Sequence, residues 1–479
     1  MRGRLDSFQK VKKNIKIAEN VKIKIHILNR KAWKNMIYQN ERKDIFSHGC
    51  YFRKKLWAVG LSMSILLSSV LTGCTLPGQK KVEEYIPPET TAGTQTEEPE
   101  QPGMSEEDAT YASLEYLDTM SDEEKVGQLF TVNLESLDNT KGDYFEHRKI
   151  TKKMKKSLEK YCVGGVILFS RNIWNRKQTK KLIRKLQKNS TTPLFIAVDE
   201  EGGDVARIGN NEKMKTTTFP TMEEIGENKD ADYVYEMAAT IGKQIYKLGF
   251  NVDFAPVADV KTSEMNSEIG TRSFGDDPDK VAEFVSAYVK GLESQNVCST
   301  LKHFPGQGAS SGDTHQGSVD LDSSISKLRK IDFVPFVSGM NAGADFVMIS
   351  HISVSRVTET SEPASMSKLI MTTILREELN FGGLIVTDAF DMASITEKYS
   401  AVDAAVKSFD AGADIILMPE DLPKAYEAVL KKVQSGKITQ KRLNDTVQRI
   451  LKLKFKKGIM TLEDMETPTE TLVPESSAK

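Results

Sequence analysis

The chain has 479 residues, 39% of them hydrophobic, with 66 Lys and Arg against 67 Asp and Glu for a formal net charge of −1. That neutral total hides an asymmetry: 16 basic and 4 acidic residues fall in the first 55 positions, leaving 50 basic and 63 acidic residues beyond position 74. An acidic body argues against nucleic acid as a partner, and the length exceeds what one small domain needs.

The basic N-terminus ends in Arg53, Lys54 and Lys55, directly before the uncharged run LWAVGLSMSILLSSVLTGC at 56–74. A basic segment before an apolar one is the layout of a secretory signal. Leu71-Thr72-Gly73-Cys74 is similar to a lipobox, so residues 1–74 are expected to be an N-terminal extension and lipoprotein signal, with Cys74 the lipidated residue. The competing reading is a single membrane anchor, since about 19 apolar residues suffice to span a bilayer. Either way the body of the protein is expected outside the cytoplasm, held at the cell membrane. Residues 75–108 are rich in Pro, Thr and Glu without apolar period, the composition of a disordered linker. Of the four cysteines, only Cys162 and Cys298 fall in the remaining body, where buried free thiols are expected rather than a disulfide framework.

From 109 onward one pattern repeats. Eight short apolar runs, often β-branched, recur at 126–134, 163–170, 193–199, 251–260, 297–304, 345–352, 382–390 and 413–421. Between them lie segments of helical period, such as Val234, Met237, Ala238, Ile241, Ile245 and Leu248, or Val281, Phe284, Val285, Tyr288, Val289 and Leu292. A last one holds Leu443, Val447, Ile450 and Leu451 before a stop at Gly458. Eight buried strands alternating with amphipathic helices predict an α/β fold, a (β/α)8 TIM-like barrel over 109–460 with a disordered tail at 461–479. An open doubly wound sheet is the alternative.

In such a barrel chemistry gathers where strands end. Polar residues cluster there: Asp199 and Glu201 after the third run, Asp253 and Asp259 in the fourth, and Arg272 in the loop EIGTRSFGDDP. Lys302 and His303 end the fifth run, His351 the sixth, and Asp388 and Asp391 the seventh. Singly each has a bland explanation, because an Asp at a strand end is more often a helix cap than a catalyst. Together they converge on one mouth, which packing does not require. The stretch KHFPGQGASSGDTH at 302–315 adds Asp313 and His315 on a glycine-rich loop expected to be mobile.

KHFPGQGASSGDTH resembles the signature of glycoside hydrolase family 3 in its β-N-acetylglucosaminidase branch. VDEEGG at 198–203 with Arg207, IGTRSFGDDP at 269–278 and VTDAFDM at 386–392 resemble the family's other blocks, in its order. The resemblance implies that Asp388 is the nucleophile and that Asp313 and His315 form the acid/base dyad. It implies further that Asp199, Arg272, Lys302 and His303 hold the sugar; His351 lies beside it without an assigned role. Gln307 departs from many members, with little consequence expected. No cofactor and no metal are implied. The expected partner is an N-acetylglucosamine-containing glycan or muropeptide, and a monomer is expected.

On that reading Asp388 attacks the anomeric carbon to form a covalent glycosyl-enzyme, ionised beside Lys302 and Arg272. His315, oriented by Asp313, gives the leaving oxygen its proton. Alternatives are phosphorolysis on the same scaffold, open because no carboxylate acid/base would repel phosphate, and a β-glucosidase-like member of the family. Others are a metal hydrolase using His303, Asp313, His315 and His351, and a solute-binding lipoprotein without turnover.

Overall fold

The computed structural model describes residues 103–466 apart from 264 and 311. The signal run, Cys74, most of the linker and the end of the tail lie outside them. The described residues belong to the second of two units, Gly93–Lys479. A helix at Glu106–Leu117, capped by Ser105, starts within the range expected as linker. Glu463–Glu466 is likewise helical inside the expected tail.

Eight parallel strands carry the fold: β1 (Phe130–Val132), β2 (Gly165–Ile167), β3 (Phe195–Val198), and, after a hairpin of β4 (Glu200–Gly202) and β5 (Val205–Ala206), β6 (Val252–Asp253). β7 (Thr300–Phe304), β8 (Phe346–Ile349), β9 (Leu384–Thr387) and β10 (Ile416–Leu417) complete them. Each falls inside one of the eight apolar runs, and every residue of these eight ladders is buried, as strands covered on both faces must be.

The strands pair in two sheets, β10-β1-β2-β3-β6 and β7-β8-β9. Isolated parallel bridges carry the seams, Val252 with Cys298 and Val257 with Lys302 at one, Val386 with Ile415 at the other. This is a TIM-barrel-like α/β domain whose seams are thinner than its ladders. The sequence accounts for one seam: Pro256 interrupts the run 251–260 and has no N–H to donate. Its carbonyl and that of Ala255 still accept from Lys302 N (3.2 Å) and Thr300 N (2.8 Å).

The helices match their periodicity. Ala231–Tyr246 is capped by Asp230, Pro278–Glu293 by Asp277 with Pro278 in the first turn, and Gln440–Lys456 by Thr439. Val281, Phe284, Val285, Tyr288, Val289 and Leu292 are all buried on one helix, each worth roughly 2 kcal/mol against exposure. Cys298 is a buried free thiol, whereas Cys162 is half-buried at a helix end in the left-handed region.

The hairpin was not legible as strand, because EEGGDVA carries no apolar alternation. The Glu200 carboxylate holds it together by accepting from Ile208 N (2.7 Å) and Gly209 N (2.6 Å). Burial pushes that carboxyl up to about 7. Among the described residues no helix is long and apolar enough to cross a membrane.

Candidate active site

A cavity of 720 Å³ opens beside the C-terminal ends of the strands, and six of the eight expected catalytic and sugar-binding residues line it: Asp199, Arg272, Lys302, His303, His315 and Asp388. The chain reaches it from four directions. β3 runs into Asp199 and Glu201, β6 into Asp259 and the loop with Glu268 and Arg272, β7 into the 305–320 loop, and β9 into Asp388.

The floor is an ion network. Lys302 Nζ lies 3.0 Å from Asp199 and 2.5 Å from Glu201, and Arg272 grips Glu201 with two hydrogen bonds of 2.9 and 2.7 Å. Burial alone would raise the Glu201 carboxyl; the charges of Arg272 and Lys302 overcome it and hold the group well below the carboxylate range. The expected companions of Asp388 are therefore engaged elsewhere, on Glu201 and Asp199. Asp388 itself accepts from Ala389 N (2.8 Å), while its own N–H donates to Ile349 O (2.9 Å).

Glu201 was visible at a strand end without a role, and it is the common anchor of two cationic site residues. Lys302 and Glu201 side chains are each only 2% exposed, so removing the carboxylate strands a buried charge. Glu201→Ala is expected to lower unfolding free energy by about 3 to 5 kcal/mol in urea titration. A loss below about 1 kcal/mol would mean that other groups take over the two cations.

His303 is oriented by Asp259, whose Oδ2 meets Nδ1 at 2.8 Å and the backbone N at 3.1 Å. With Nδ1 so engaged, Nε2 is the nitrogen left for the cavity. Asp259 thus does more than cap a helix, since its other oxygen accepts from Gln307 N at 2.6 Å. The Lys302–His303 peptide is cis.

His351 does not line the cavity. Its Nε2 donates to Ala389 O (2.9 Å), Nδ1 accepts from Ser365 Oγ (2.8 Å), and the ring stacks on Phe390. Burial lowers its pKa, consistent with a neutral ring holding the backbone next to Asp388 from behind. That arrangement leaves neither His351 nitrogen free for a metal, and His303 Nδ1 is also taken.

The 305–320 loop brings the dyad together: His315 Nδ1 lies 3.0 Å from Asp313 Oδ1, which also accepts from the His315 backbone N at 2.9 Å. A third group, Glu268, was missed. Its Oε1 is 3.3 Å from the same Nδ1. Hydrogen bonding and charge from Glu268, and then from Asp313, push the largely exposed His315 ring up to about 9. Glu268, Asp313 and His315 also offer ligand atoms within 4.8 Å of one another.

The glycines of this loop let its first residues pack closely on the barrel. Gly306 sits at φ +115 with a Cβ position 2.5 Å from Asp332 Cβ, and a Cβ on Gly308 would lie 2.1 Å from Val260 O. Both glycines permit close approach. Gln307, expected to matter little, is buried and bridges Glu268 to Ser350 Oγ through its side-chain amide.

Comparison with known proteins agrees with this geometry. The family model described as glycosyl hydrolase family 3 N terminal domain matches residues 121–453. "Beta-hexosaminidase A" of Pseudoalteromonas piscicida is 37% identical over 327 residues, which cover 62% of this chain and 54% of that protein. The chain thus spans about half the length of that relative. "Beta-hexosaminidase" of Stenotrophomonas maltophilia (strain K279a) is 35% identical, covering 57% of this chain and 81% of that one. Among solved structures, a glycoside hydrolase family 3 beta-N-acetylglucosaminidase from Paenibacillus sp. str. FPU-7 superposes with a TM-score of 0.66 at 30% identity, covering 73% of this chain and 67% of the other. With 333 residues matched by the family model and the site blocks gathered on one cavity, the chain belongs to glycosyl hydrolase family 3.

Proposed function

We propose that the protein is a retaining exo-β-N-acetylglucosaminidase acting on peptidoglycan-derived fragments with a terminal N-acetylglucosamine. Asp388 is the nucleophile, His315 the acid/base and Asp313 its orienting partner, while Asp199, Arg272, Lys302 and His303 hold the sugar. One observation carries this reading: His315, hydrogen-bonded to Asp313, and Asp388 line the same cavity. Nucleophile and proton donor are the two functions that glycoside cleavage with retention requires. The relatives named beta-hexosaminidase support the sugar.

Phosphorolysis loses the argument that favoured it. Although a beta-glucoside phosphorylase is among the structural neighbours, at 25% identity, the acid/base here has the Glu268 carboxylate beside it. An incoming phosphate would meet two carboxylates at the His315 ring. The test is a panel of aryl β-glycosides of N-acetylglucosamine, glucose and xylose, each with and without phosphate. Turnover is expected on the N-acetylglucosaminide, unchanged by phosphate and yielding free sugar. A preference for glucoside, or a phosphate-dependent sugar 1-phosphate, would overturn the proposal.

A further inference from the structure

We propose that Glu268 is a positioning residue of the acid/base: it docks the 305–320 loop onto the barrel and shares the Nδ1 proton of His315 with Asp313. The inference rests on the reading of His315 as proton donor.

Four groups converge on this carboxylate. Oε1 accepts from Thr314 Oγ1 at 2.6 Å and faces His315 Nδ1 at 3.3 Å. Oε2 accepts from Thr314 N at 2.8 Å and from Gln307 Nε2. Three of the four contacts come from Thr314 and His315, the residues that follow Asp313. The fourth comes from Gln307, which is itself fixed on both sides by Asp259 through its N–H and Ser350 through its carbonyl oxygen. Asn266, two residues before Glu268, completes the clasp by donating to Gln307 O at 2.7 Å.

A surface carboxylate does not collect such a set. The Glu268 side chain is 6% exposed, so its charge has to be met by donors, and all those donors belong to the acid/base loop. Burial would raise the carboxyl, yet the hydrogen bonds from His315 and Thr314 lower it, so it remains an anion facing the ring. Asp313 alone would orient His315; a second anion at the same nitrogen favours the imidazolium further. Other titratable groups also line the cavity: Asp388 and Asp391 beyond β9, His303, which is already paired with Asp259, and the network of Asp199, Glu201, Arg272 and Lys302 with Arg207 beside it.

The consequence is a proton donor that stays loaded above neutral pH. A histidine titrating near its ordinary value is mostly unprotonated at pH 8, whereas one held up to about 9 is mostly protonated there. Glu268→Gln keeps the shape and an acceptor for Thr314 but removes the charge. On an N-acetylglucosaminide with a poor leaving group, the alkaline limb of kcat/KM is expected to move down by about one pH unit or more. For a shift of one unit that corresponds to about a two-fold loss at pH 8, growing with a larger shift, and almost none at pH 6. An activated aryl substrate, which needs less protonation, should show a smaller change at either pH.

The ring titration of His315, followed by NMR in the wild type and in Glu268→Gln, reads the same shift without catalysis. A loss equal at both pH values and on both substrates, with the His315 titration unmoved, would overturn the proposal and leave Glu268 a packing residue. His315→Ala on the same two substrates tests the underlying reading separately. If that variant loses equally on both, the proton-donor assignment fails; if it discriminates while Glu268→Gln shifts nothing, only the Glu268 proposal fails.

Discussion

Asp388→Ala is expected to lower turnover of an activated aryl N-acetylglucosaminide by roughly 10⁴- to 10⁶-fold, the range seen when a covalent nucleophile is removed from a site that otherwise stays assembled. The size follows from position. Asp388 sits one residue beyond Thr387, whose N–H is bonded to Ile415 O, and its own N–H is fixed on Ile349 O, so the carboxylate leaves a strand end that cannot drift. His351, bonded to Ala389 O, holds the next peptide from behind. The variant leaves room at the anomeric carbon. Added azide is therefore expected to restore part of the activity and to give a glycosyl azide of inverted configuration, a product the wild type does not make. Retention of activity within tenfold would move the nucleophile elsewhere, and Asp391, which lines the same cavity, is the group that would inherit the role.

The part of the site that was legible in sequence is the part fixed to strand ends. Asp199, Lys302, His303 and Asp388 each follow an apolar run, and a parallel barrel can only deliver such residues to one mouth. The eight strands were legible for the same reason, although the ladders are shorter than the runs: residues flanking Val252–Asp253 or Ile416–Leu417 are buried without pairing as continuous strand. What stayed hidden depends on two loops meeting. Glu268 is 46 residues from Thr314, and no periodicity relates them; only the folded loops show that one carboxylate serves both. The glycines of KHFPGQGASSGDTH hid a role in a related way. In sequence Gly306 and Gly308 read as freedom, and only the fold shows the close contacts that their missing Cβ atoms permit to the first residues of the loop.

The contacts of Thr314 and His315 with Glu268 set the geometry in which the dyad is tested. His315→Ala should lose about 10² to 10⁴-fold on a substrate with a poor leaving group, the usual worth of general acid catalysis, and far less on an activated aryl glycoside whose oxygen departs without a proton. Leaving-group dependence should accordingly steepen in the variant. Asp313→Asn should act in the same direction and more weakly, since it removes one of two anions from Nδ1 while Glu268 stays at 3.3 Å. The rival donor is Asp391, exposed at the cavity mouth, whose carboxyl is raised to about 6 by partial desolvation against the cavity wall and by the neighbouring Asp388 charge, high enough to carry a proton in mildly acidic solution. The two donors make opposite predictions above neutrality: a carboxyl at about 6 is discharged by pH 8, whereas His315 at about 9 still holds its proton. Activity on the poor leaving group that persists at pH 8 in the wild type and disappears in His315→Ala assigns the proton to the histidine. Activity that falls through pH 6 in both proteins assigns it to Asp391.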